Sequence, residues 1–309
     1  MLRPYRTGKA IQNQGTLTRI FLLVACVFTL LSGASTKAAD NPGFAAVLGE
    51  VQMVHASIES IRLRLGVSGA LKPAFDIENA STYEVYFQAL ALFQKSNWLA
   101  REFGSNLNSP PPLTVPLDTI EPRHVLAVIE ATHANLQPFQ ARLNLPEPPA
   151  PEPCPGDTSA TDVYRAILGA SQGLNLLLRI RIQPRDVYRE VGFTTDHLKK
   201  ILFQLKLKTP ARRHLSDHRT HTPVDVFERL TSSYATVAEL ARVSGQQALV
   251  LKADSRGRTD LYPGDNYDLA ALVLSEVAYL YALSIDELPP PLPPDPREIS
   301  VTDVYEQVK

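Results

Sequence analysis

The residues best equipped for chemistry stand together in one short stretch: Arg212, Arg213, His214, Asp217, His218, Arg219 and His221. His214 and His218 are four apart, so on a helical turn their imidazoles share a face. With Asp217 and His221 they form a donor set of the kind that zinc accepts. The three arginines among them repel a cation and point instead to a solvated basic loop. The corresponding earlier stretch, 66–80, contains no histidine. The expectation is therefore no resident metal, with His214, Asp217, His218 and His221 as the candidates if one binds, and Arg212, Arg213 and Arg219 as a surface for a partner.

Other chemistries find less support. Covalent haem needs a C-x-x-C-H segment, which is absent, and Met53 and His55 are two apart, on different faces of a helix. There is no G-x-S-x-G elbow, phosphate-binding glycine loop or H-E-x-x-H helix. The sequence thus predicts no cofactor and no catalytic residues.

Carboxylates are plentiful, but their spacing has a structural explanation. An acidic residue, Val and an aromatic recur at Glu84-Val85-Tyr86, Asp162-Val163-Tyr164, Asp186-Val187-Tyr188, Asp225-Val226-Phe227 and Asp303-Val304-Tyr305. Three residues before four of these acids stand Ser81, Ser159, Thr222 and Ser300, with Gln183 before Asp186, and Asp265 stands before the looser copy at Asp268. This is the capping-box spacing, in which the carboxylate reaches back to the capping residue's N–H and complements the helix dipole. Pro122, Pro184 and Pro223 suit the first helical position. Apolar residues then follow at helical spacing, as in Val163, Ile167, Ala170, Leu174 and Leu178. Helices are expected to begin near 42, 82, 122, 160, 184, 223, 266 and 301.

The starts also repeat at a longer period. Glu84 and Asp225 are 141 apart, His124 and Asp268 144, and Asp162 and Asp303 141. Leu99-Ala100-Arg101 with Gly104 matches Leu240-Ala241-Arg242 with Gly245. The predicted fold is all-α, an up-and-down four-helix unit duplicated in the chain and stacked as a helical-repeat array. The first unit is read as 39–181, with a Pro-rich connector at 146–158. The second is 182–309, with a connector at 286–299 and a short last helix. In up-and-down packing, Tyr86, Tyr164, Phe227 and Tyr305 gather at one end, either as sealed core or as a ligand or partner surface.

The first 38 residues carry Arg3, Arg6, Lys9 and Arg19 ahead of an apolar run at 20–31, with small residues up to Ala38. They read as a secretory signal, and the run is short for a membrane span. Leu23-Val24-Ala25-Cys26 resembles a lipoprotein processing box, which sets Cys26 as an alternative acylation site. Removing the signal takes five of the 31 basic residues and none of the 32 acidic ones, which leaves a net charge of −6 and argues against nucleic acid. Cys154 is then the remaining cysteine, so no internal disulfide forms. The functional expectation is an exported periplasmic or envelope-associated binding or scaffold protein, with another envelope protein as partner. The alternative is a helical bundle that binds or senses a small ligand.

Overall fold

The computed structural model describes residues 43–309 apart from 70–71, 105–107, 152, 180, 205, 207–220, 244, 254–260, 285–298 and 309. The chain is all-α. Among the described residues there are eight helices: α1 (Phe44–Arg64), α2 (Thr82–Glu102), α3 (Pro122–Arg142), α4 (Ala160–Leu177), α5 (Pro184–Gln204), α6 (Pro223–Val243), α7 (Pro263–Ser284) and α8 (Val301–Val308). Two short strands, β1 (Phe75–Glu78) and β2 (Val250–Ala253), complete the fold. None of the described helices is long and apolar enough to cross a membrane. The signal-like segment and Cys26 lie outside the described residues, as does most of the second Pro-rich connector.

Helix starts are fixed by local hydrogen bonds. The backbone N–H of Ser81 donates to Glu84, that of Ser159 to Asp162 at 2.9 Å, and that of Gln183 to Asp186 at 2.9 Å. Thr222 donates to Asp225 at 2.6 Å and Ser300 to Asp303 at 2.8 Å in the same way. On α3 an imidazole takes the role, since the Glu121 N–H donates to His124 Nδ1 at 3.0 Å. The seventh helix corrects the sequence reading. It begins at Pro263 rather than 266, and Asp265 is the acid that reaches back, accepting the Tyr262 N–H at 2.7 Å. Asp268 caps nothing and points inward instead. With that shift, Pro263 stands 141 residues after Pro122, as Pro223 does after Thr82 and Val301 after Ala160.

Helix direction differs from an up-and-down arrangement. Residues early in α2 meet residues early in α4, where Tyr164 donates to Gln88 at 3.2 Å, and residues late in both meet as well, where Lys95 donates to Asn175 at 2.6 Å. Likewise Asn135 of α3 donates to Ser96 of α2 at 2.9 Å, and the Phe103 and Phe139 rings beyond and near the ends of those helices have centroids 3.7 Å apart. Ile58 of α1 abuts Gly173 of α4 at matching depth. The helices α1 to α4 therefore run parallel. The connectors permit this. A helix of this length spans roughly 30 Å, and the 17 to 19 residues between α1, α2, α3 and α4 can return over more than that distance when extended. Short loops are what would have forced antiparallel neighbours.

The second bundle, α5 to α8, is built alike. Tyr267 of α7 donates to Glu190 of α5 at 3.2 Å, Asn266 donates to the Pro223 carbonyl at the start of α6 at 3.0 Å, and Ser233 donates to the Val308 carbonyl at 3.4 Å. In the first bundle α1 packs on α3 and α4, and α2 on α3 and α4. In the second, α5 packs on α7 and α8, and α6 on α7 and α8. Only six residues separate α4 from α5, so direction reverses there and the bundles lie antiparallel across α2 and α7. Two return segments meet as an antiparallel ribbon, Phe75 opposite Ala253 and Glu78 opposite Val250. The sequence reading contained no strands.

The parallel packing of α1 on α4 leaves no room at Gly173. A methyl group there would lie 2.5 Å from Cγ2 of Ile58, a β-branched side chain whose χ1 is stiff in a helix. Gly173→Ala is expected to destabilise the protein by about 1 to 3 kcal/mol through overpacking. Chemical denaturation measures it, and an unchanged midpoint would mean that α1 and α4 are not packed this closely.

Candidate functional site

Of the candidate site residues singled out in the sequence, the structure places His221 and the four aromatics. His214, Asp217, His218, Arg212, Arg213 and Arg219 lie outside the described residues. His221 is buried, and its ring stacks on Tyr305 with centroids 3.7 Å apart. Among the described residues no group of three or more His, Cys, Asp or Glu side chains is placed to hold a metal ion. The four aromatics do not share one end, because the two bundles start at opposite ends. Tyr164 and Phe227 are fully buried, the first bonded to Gln88 and the second beside Phe75 at 6.5 Å between centroids. Tyr86 lines a cavity in whose lining the other three take no part.

That cavity, of about 680 Å³, lies between α2, α5, α7 and the return segment that carries Pro110 and Leu113. Its origin is in side-chain size. Helix α7 is apolar almost all round and buried on every side, as a central helix should be, but it turns Ala271, Ala278 and Ala282 toward the space. Phe87 and Phe193 form walls on α2 and α5. Tyr267, Leu274 and Tyr281 also line it from α7, and the volume stays open beside the three alanines between them.

Its polar groups concentrate on α5. Glu190 accepts the Tyr267 hydroxyl at 3.2 Å, and burial pushes its carboxyl up to about 7, against the opposing pull of the Arg189 guanidinium. Arg189 sits at the rim, 36% exposed, with Asp186 and Glu190 each 4.0 Å away. Farther along, His197 holds its Nδ1 2.5 Å from the Phe193 carbonyl oxygen and sets its ring edgewise to Tyr281. A carbonyl only accepts, so Nδ1 carries the proton. Burial keeps the imidazole below its ordinary pKa and hence neutral near pH 7. The sequence offered one signal for this site: Glu190 falls between Val187 and Val191 on the buried side of α5.

Behind the Tyr267 wall lies a buried polar network. The Lys95 ammonium, fully buried, is 2.7 Å from Asp268 and donates to Ser171 at 2.8 Å and Asn175 at 2.6 Å, with the Gly264 carbonyl at 3.2 Å. Gln172 and Asn175 donate to Asp265 at 2.6 and 3.1 Å. Burial pulls the Lys95 ammonium down and pushes the Asp265 carboxyl up, while Asp268 supports the lysine's charge. The network ties α2, α4 and α7 together across the two bundles. With no solvent-facing atom on Lys95, it has the build of a structural device rather than a reaction centre. A second buried cluster joins the bundles at the start of α2, where Glu276 faces Glu84 and accepts the Tyr83 hydroxyl at 3.1 Å.

No family model, no curated protein and no solved structure matches this chain.

Proposed function

We propose that the protein is a non-catalytic helical binding protein whose cavity takes a lipophilic small molecule. The observation that carries the reading is the apolar space of about 680 Å³ between α2, α5 and α7, within the size range of small-molecule sites and with its few polar groups clustered. The other expectation is a scaffold role, with Arg212, Arg213 and Arg219 as its partner surface. The proposal includes export by the segment 1–38 and residence in the periplasm or at the envelope, supported by the charged, apolar and small-residue order of that segment. It also includes internal duplication of the four-helix unit. The support there is the common spacing of helix starts and the matching set of helix pairings in both bundles.

The test is uptake of Nile red by the purified chain. Saturable, blue-shifted fluorescence is expected, and Ala271→Trp, which fills the space from α7, is expected to remove at least nine-tenths of it while helical circular dichroism is retained. Equal uptake by a folded Ala271→Trp variant would sink the cavity reading.

A further inference from the structure

Resting on the cavity reading above, we infer that the ligand is an amphipathic monocarboxylate, with its carboxylate at Arg189 and its alkyl chain running along Phe193 toward Tyr86 and Ala278.

Arg189 decides the head group. Its guanidinium presents donors at the rim, and its nearest carboxylates, Asp186 and Glu190, are 4.0 Å away, past hydrogen-bond distance. A planar fork of N–H groups matches a carboxylate in two parallel bonds. An amine head would meet the guanidinium's repulsion, and an alcohol would gain little from its charge. Four polar groups face this end: Arg189 and Glu190 on α5, Tyr267 on α7 and Gln94 on α2. Glu190 is compatible with an incoming anion. Burial raises its carboxyl to about 7, so near neutral pH a large share of it is protonated and can donate to the ligand rather than repel it. The Tyr267 hydroxyl fixes its orientation.

The remainder of the space suits a chain. From Arg189 to His197 the wall of α5 runs roughly 12 Å at the helical rise. Beyond Arg189 and Glu190 it offers Phe193, and facing it are Leu90, Ala271 and Leu274. His197 closes that wall: its Nδ1–H donates to the Phe193 carbonyl, and its buried Nε2, without a partner among the described residues, is an acceptor only, which a carboxylate cannot satisfy and which leaves Arg189 as the place for the head group.

Displacement of Nile red from the full chain by dodecanoate, 1-dodecanol and dodecylamine tests the inference. Dodecanoate is expected to compete about tenfold more strongly than 1-dodecanol, the value of one charge-assisted contact. Arg189→Gln should erase that preference, read as the ratio of dodecanoate to 1-dodecanol competition within the variant, and Arg189→Lys should restore part of it. Dye uptake with 1-dodecanol or dodecylamine competing as well as dodecanoate would overturn the head-group assignment alone, as would an unaltered dodecanoate response in Arg189→Gln. Absence of dye uptake would overturn the cavity reading and this inference with it.

Discussion

Replacing Lys95 with Met is expected to cost about 3 to 5 kcal/mol, the range seen when one partner of a buried ion pair is removed. The magnitude follows from what stays behind. Asp268 lies 1% exposed, 2.7 Å from the ammonium. Without the lysine its charge has only Gln88, Ser171 and Asn175 to solvate it, and Asp265 loses a nearby cation as well. A stability of 5 to 15 kcal/mol is typical of a domain, so this one change removes a large part of it. Urea unfolding measures the loss. The double variant Lys95→Met with Asp268→Asn should recover part of it, because a neutral amide can sit among the same donors without an uncompensated charge. A loss below 1 kcal/mol in the single variant, or no recovery in the double, would show that the pair is not holding the two bundles together.

That network also shows where the sequence is readable and where it is not. Helix starts are legible because a cap is a local event: Ser159 and Asp162, or Ser300 and Asp303, hold each other across three residues with no help from the rest of the fold. Helix direction is not legible. Connectors as long as 65–81 or 143–159 can reach either end of a helix, so spacing alone does not distinguish parallel from antiparallel neighbours. The α7 register was misread for a related reason. Asp265 and Asp268 are both acids at helical spacing, and only the bond from Tyr262 N–H identifies which one faces the cap and which one faces Lys95. Lys95 itself did leave a trace, as a cation between Leu92 and Leu99 on a buried face, where an apolar residue is the usual occupant. The cavity left almost none. It is made by what Ala271, Ala278 and Ala282 lack, and an alanine in an apolar helix looks the same whether the space beside it is filled or open.

Glu276→Gln is expected to stabilise the protein at pH 8, by about 1 to 3 kcal/mol, the scale of one buried polar group left unsatisfied, and by nothing measurable near pH 4. Burial, reinforced by the neighbouring Glu84, pushes the Glu276 carboxyl from 4.5 up to about 10. Glu84 accepts the Ser81 and Leu249 backbone N–H groups, and Glu276 accepts the Tyr83 hydroxyl on one oxygen, with the Tyr234 hydroxyl as a further polar neighbour. A hydrogen bond between Glu276 and Glu84 needs a proton on one of them, because two carboxylates offer only acceptors. The folded chain thus keeps a proton that the unfolded chain releases near pH 4.5. Stability is fully present below that value and falls as pH rises toward about 10, because each further unit makes protonating Glu276 on folding more costly. An uncharged glutamine reproduces the protonated form, its amide donating to Glu84 and its carbonyl accepting from Tyr83, and it carries no such dependence. Unfolding midpoints of both proteins between pH 4 and pH 9 provide the check. The two curves should diverge as pH rises, with the variant above. Parallel curves would mean that Glu276 is ionised in the fold and that the contact between α2 and α7 is held by something other than a shared proton.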